Sequence, residues 1–128
     1  MTRIPPNDLE MIEQAIYLPM LLTVLQRDVQ FIEKAPFKLK NPYIRLIEKT
    51  MTDIQKDLAK AKYYMQQNKI KVQRLKSDEA FTMYLFLYKG YEELHNYFNP
   101  RLRTKTEELM EHYMLEKRFQ SQTRKENA

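Results

Sequence analysis

Apolar positions recur along much of the chain at helical spacing. Ile44, Ile47, Met51, Ile54, Leu58, Ala61 and Met65 follow one another three or four residues apart. Such a heptad-like stripe predicts a helix in need of a close helical partner. "NPYI" sets its start, with Asn41 at the cap and Pro42 in the first turn, where a missing N–H is no loss; Asn68 is its expected end. Ahead of it, "NDLE" opens a first helix at Asn7, with Glu10 three residues on. That helix is expected to reach about Lys34 and to kink at Pro19, which lacks the N–H that would bond the Ala15 carbonyl. "NPRL" repeats the Asn–Pro device at Asn99 and Pro100 and predicts a last helix to about Phe119.

Two stretches fit this scheme less simply. In "KIKVQRLK", Lys69 to Lys76, lysines alternate with Ile70 and Val72 as in an edge strand. Val72 and Leu75 also continue the helical spacing, so strand, loop and helix continuation all stay open. The second stretch, "DEAFTMYLFLYKGYEELHNYFNPRLR", crowds Phe81, Tyr84, Phe86, Tyr88, Tyr91, Tyr97 and Phe98 around the chain's single glycine. Ser77 as cap, with Asp78 and Glu79 in the first turn, predicts a third helix here. Projected at about 100° per residue, Ala80, Phe81, Tyr84, Leu85, Leu87, Tyr88, Tyr91, Leu94, His95 and Phe98 share one broad arc. An exposed arc of that size exceeds what soluble monomers tolerate, so it is read as core. Phe86, Gly90 and Tyr97 form a separate stripe in which Gly90 is a notch for a close helix crossing or a partner.

These elements predict an all-α four-helix bundle with a kinked first helix, occupying residues 1–119 as one domain, with a frayed basic tail at 120–128. Between Ala15 and Leu25 only Thr23 is polar. Two helices without a full polar face call for further burial, and a homodimer through the first and third helices would supply it.

Composition narrows the function classes. The 128 residues include no cysteine, which removes disulfides, thiol catalysis and cysteine-ligated zinc and suits a reducing compartment. With one glycine there is no Gly-rich phosphate loop. Acids near the N-terminus stand where an export signal would be apolar, and no run approaches the ~20 residues of a membrane span. A cytoplasmic protein without membrane partners or cofactors is expected. The formal charge of +5 admits an anionic partner. From Leu58 to Ser77 the cations Lys60, Lys62, Lys69, Lys71, Arg74 and Lys76 stand without an acid, either a solvated face or a phosphate-contacting surface for DNA or RNA. Glu92 and His95 have the i, i+3 spacing of di-metal bundle sites, but the second such pair is missing, and a hydrogen-bonded structural histidine is the simpler reading. No nucleophile–base arrangement is visible, so no catalytic residue is assigned.

The segments "AIYLPMLLTVLQRD", "PFKLKNPY", "DEAFTMYLFLYKGYEE" and "NYFNPRLR" resemble the YhjD-like family of short helical proteins from Bacillus-type, spore-forming bacteria. The resemblance covers roughly Thr2 to Leu115. It implies a small, mostly helical cytoplasmic protein and lends no catalytic residues. The combined expectation is a non-enzymatic interaction or regulatory protein, homodimeric, with Phe86, Gly90 and Tyr97 meeting an unknown protein partner. Nucleic-acid binding through residues 58–77 is the alternative, and a metal-binding bundle at Glu92 and His95 a second one.

Overall fold

The computed structural model describes residues 4–116. Helices stand where the first two stripes place them: α1 is Pro6–Lys34 and α2 is Asn41–Gln67. Pro19 lies inside α1 without ending it, and the Thr23 hydroxyl donates to the Pro19 carbonyl at 3.0 Å. The connection at 35–40 turns the chain back, so that the start of α1 meets the end of α2.

Residues 70–98 overturn the four-helix bundle. They form three strands, β1 (Ile70–Ser77), β2 (Phe81–Tyr88) and β3 (Tyr91–Phe98), paired in the order β1-β2-β3 as an antiparallel meander. The chain then enters α3 (Asn99–Glu111) and a π-helical turn, His112–Glu116. The fold is therefore α+β, with helices on one face of an antiparallel sheet. The turns explain the change. Lys89 and Gly90 have φ of 49° and 90°, and Tyr88 pairs directly with Tyr91. Two consecutive positive φ values make the two-residue type I′ hairpin whose twist matches the flanking strands. Gly90 is thus a turn residue and not a helical notch.

The β1–β2 turn uses no glycine. Asp78 Oδ1 accepts hydrogen bonds from the Ala80 and Phe81 amides, each at 2.8 Å. This is the same side-chain-to-backbone chemistry that caps a helix, here closing a hairpin. Asn99 likewise serves tertiary structure: its amide nitrogen donates to the carbonyls of Asp78 and Glu79, and its oxygen accepts from the Thr82 hydroxyl at 2.7 Å. The start of α3 is thereby latched to the far hairpin turn.

Two apolar clusters share α1. One joins Ile12, Ile16 and Tyr17 to Met65, Ile70 and the inward side chains Tyr84, Phe86 and Tyr88, with Leu102 of α3. The other joins Leu18, Leu21 and Leu25 to Ile47, Ile54 and Tyr113. The stretch from Ala15 to Leu25 is apolar all round because α2, the sheet and the α3 end approach it from different sides. Most of that stretch is buried within the chain, while Val24 stays 42% exposed. Among the described residues, no helix is long and apolar enough to cross a membrane. The tail at 120–128, and the expected extension of the last helix to Phe119, lie outside the described residues.

Candidate functional site

Side chains alternate across a strand, so β2 presents two different surfaces. Thr82, Tyr84, Phe86 and Tyr88 point at the helices and are buried. Phe81, Met83, Leu85 and Leu87 point the other way. Register extends this outer face into rows: Lys71–Leu87–Glu92, Gln73–Leu85–Leu94, Lys76–Met83–Asn96, and finally Phe81 beside Phe98. The two phenyl rings lie 5.4 Å apart. Leu75, at the bulge between Arg74 and Lys76, adds an exposed side chain to the β1 edge. Phe81 is 43% exposed, Phe98 49% and Leu94 64%. None of Met83, Leu85 and Leu87 joins either apolar cluster of the described residues. A contiguous apolar stripe of this kind, rimmed by charge, marks a contact surface.

The polar interior looks different, because its acids are held by tyrosines. Asp8 is buried at the start of α1 and accepts from the Tyr64 hydroxyl of α2 and the Tyr88 hydroxyl of β2, both at 2.5 Å. The two hydroxyls, with a smaller contribution from nearby Lys89, hold its carboxyl below the usual range, while Tyr88 is pushed up to about 12 chiefly by its bond to Asp8. Tyr113 donates to Asp57 Oδ2 at 2.6 Å, and Tyr97 to Glu13 Oε2 at 3.3 Å. Each bond joins elements far apart in sequence. Every buried side-chain nitrogen and oxygen among the described residues has a partner. Asp8 is ionised at neutral pH with both oxygens engaged by fixed donors, which suits a structural staple better than a general base. A cleft of about 560 Å³ opens between α1, β3 and α3, lined by Glu13, Tyr17, His95, Tyr97, Arg101 and Lys105 among others. Its tyrosines pack on one another, with Tyr97 edge-on to both Tyr17 and Tyr84.

The residues expected to form a partner stripe are not brought together. Phe86 has no exposed surface and Tyr97 is half-buried on the same inner face, while Gly90 stands at the hairpin tip. The basic residues divide as well. Lys60 and Lys62 are two positions apart on α2 and project on different sides. Lys71 and Lys76 lie on the outer sheet face, Lys69 is in a turn, and Arg74 donates to the Ser77 hydroxyl at 2.8 Å. Lysines along an edge strand also deter edge-to-edge pairing, which gives them a structural reason. On a strand, the odd spacing of Glu92 and His95 puts them on opposite faces. His95 Nε2 instead lies 2.9 Å from Glu93 Oε1, with its ring stacked 4.0 Å from Phe86. Among the described residues no cluster of three or more His, Asp or Glu side chains is placed to hold a metal ion.

The outer-face residues Leu85, Leu87 and Leu94 were assigned to core by the helical projection, and Met83 to nothing. Their signal is parity. From Thr82 to Tyr88 the aromatic rings occupy even positions and the aliphatic chains odd ones, a period of two hidden because both sets are apolar.

No solved structure matches the chain. A curated protein from Bacillus subtilis (strain 168), described as "Uncharacterized protein YhjD", is 43% identical over 105 residues, covering 82% of this chain and 88% of that protein. The model of the family described as "YhjD protein" matches residues 3–118. With more than four fifths of the chain matched on both counts, the protein belongs to the YhjD family.

Proposed function

We propose that this is a non-enzymatic interaction protein, acting in the cytoplasm, whose contact surface is the outer face of the sheet. The observation that carries the reading is the apolar stripe of Phe81, Met83, Leu85, Leu87, Leu94 and Phe98, on the side of the sheet away from the helices. Supporting it, the interior carboxylates at Asp8, Asp57 and Glu13 are occupied by tyrosine hydroxyls that tie elements together. The absence of cysteine suits the reducing compartment the reading assigns.

A photoreactive amino acid at Leu94, compared with one at exposed Lys62 on α2, tests the reading in living cells. The outer-face probe is expected to give a protein adduct of discrete mass and the helix probe none. Equal yields at both positions, or no adduct at Leu94, would reject the sheet as the contact surface.

A further inference from the structure

Resting on that reading of the outer face, we infer that its occupant is a second copy of this chain, stacked sheet against sheet about a two-fold axis parallel to β2. Charge selects both the partner and the axis. The β1 edge of the face carries Lys71 and Lys76, the β3 edge carries Glu92, and the aliphatic stripe lies between. A two-fold along β2 lays β1 of one protomer over β3 of the other, and every row faces itself reversed. Lys71 then meets the partner's Glu92, and Glu92 the partner's Lys71, while Leu85 and Leu87 meet their own copies. A two-fold across the strands would lay β1 on β1 and put Lys71 against the partner's Lys76. The self-complementary arrangement is the isologous contact that a two-fold dimer requires. Aligned sheets cross at about −30°, which keeps the central Leu85 row opposed and leaves the terminal charges within reach of their long side chains.

The footprint sets the strength of the dimer. Three strands of about eight residues span roughly 27 Å by 14 Å, or about 400 Å² before the edge side chains are added, against about 800 Å² per partner in a standard interface. The dimer is therefore reversible, with a dissociation constant of roughly 1–100 μM, in the range of weak and transient contacts.

Sedimentation equilibrium of the full chain from about 0.2 to 500 μM, concentrations chosen to bracket that range, is the test. Wild type should pass from monomer to dimer. Leu85→Glu should weaken association by at least about 50-fold, since two like charges would converge where two leucines meet, with no partner for either. Leu94→Glu, at a more exposed edge position, repeats the test where folding is least at risk. Lys71→Glu or Glu92→Lys alone should weaken the dimer about three- to tenfold, and the double exchange should restore it to within about twofold. A monomer throughout, a dimer untouched by Leu85→Glu and Leu94→Glu, or a double exchange no better than its single changes would overturn the proposal. The two failures are separable. A strictly monomeric protein that still forms the discrete Leu94 adduct with a different protein keeps the contact surface and loses only the second copy.

Discussion

The inner and outer faces of β2 are built from the same eight residues and do opposite work. Inward, Tyr84, Phe86 and Tyr88 are buried against α1 and the end of α2, and the Tyr88 hydroxyl is bonded to Asp8. Outward, Met83, Leu85 and Leu87 are partly covered, with no place in the described apolar clusters. From Thr82 to Tyr88 the ring-bearing residues are on the side that must hold a specific geometry, because a tyrosine both fills volume and carries a hydroxyl to a fixed acceptor. The aliphatic residues are on the side whose surface can meet another smooth surface. Composition alone, apolar on both faces, does not separate a folding face from a contact face; parity does.

The sharpest way to break the comparison is to truncate one residue on each side. Phe86→Ala removes a fully buried ring from the centre of the core cluster and should cost about 3–5 kcal/mol. A domain of this size has about 5–15 kcal/mol in all, so the variant should be close to unfolding at 37 °C. Leu85→Ala, one residue away, should cost under about 1.5 kcal/mol in dilute monomer, because little of its surroundings closes around it. Urea unfolding of both variants at low micromolar concentration measures the difference. Equal losses would mean that the outer face is packed against the chain itself.

Next in size is the Asp8 staple, which fixes the inner face to both long helices. Replacing Asp8 with asparagine removes the charge that two hydroxyls are arranged to meet. The midpoint of thermal unfolding should fall by several degrees at pH 7. The sign of its pH dependence follows from the lowered carboxyl pKa. The unfolded chain, with an aspartate near 3.9, binds the proton more readily than the folded one, so folding is favoured at higher pH. The stabilisation is complete above about pH 5 and lost as pH falls below about 4 through the folded value. The gap between wild type and Asp8→Asn should be constant from pH 7 to 5 and close in acid. A gap that does not narrow at all as pH falls from 5 into strong acid would remove the carboxylate from the explanation.

How much of this was legible beforehand depended on whether a local signal had one physical meaning. The stripe from Ile44 to Met65 has the period of a helix and is one, and the family resemblance resting on long segments is carried by the whole matched range. The strands were missed because each of their signals has two meanings. Ser77 and Asp78 offer oxygens that serve a helix cap or an Asx-type turn, and the structure uses Asp78 for the turn. A lone glycine offers little sign of tight turns, yet one hairpin needs only Gly90 and the other none. The aromatic and aliphatic sets in β2 alternate, but an all-apolar run hides its period from any projection that scores only hydrophobicity. The outer face could not be found while Leu85, Leu87 and Leu94 were placed on one helical arc with the rings. Nothing local announces the bond between Asp8 and Tyr88, which are eighty positions apart.

Gly90 separates the two interpretations by sign. In a helix, Gly90→Ala would stabilise by about 1 kcal/mol. At a φ of +90° the alanine is strained instead, with nothing within 4 Å for its methyl to touch. The expected result is a loss of about 1–2 kcal/mol in urea unfolding, from backbone conformation alone. Because the turn fixes the register of β2 with β3, it also fixes which side chains fall on each face. A gain in stability would return residues 81–98 to a helix and dissolve the comparison.

The smallest effect on folding is expected at Leu94, and it matters because it is small. This side chain is 64% exposed on the β3 edge, beside Leu85 in the outer row. Leu94→Thr should change monomer stability by less than about 0.5 kcal/mol, since threonine has good strand propensity and little burial is lost. A residue with no folding role that nonetheless forms part of an apolar row is what a contact surface looks like from the side of the monomer. If Leu94→Thr proved destabilising by 2 kcal/mol or more in dilute solution, the row would belong to the chain's own core and the two faces of β2 would not differ in kind.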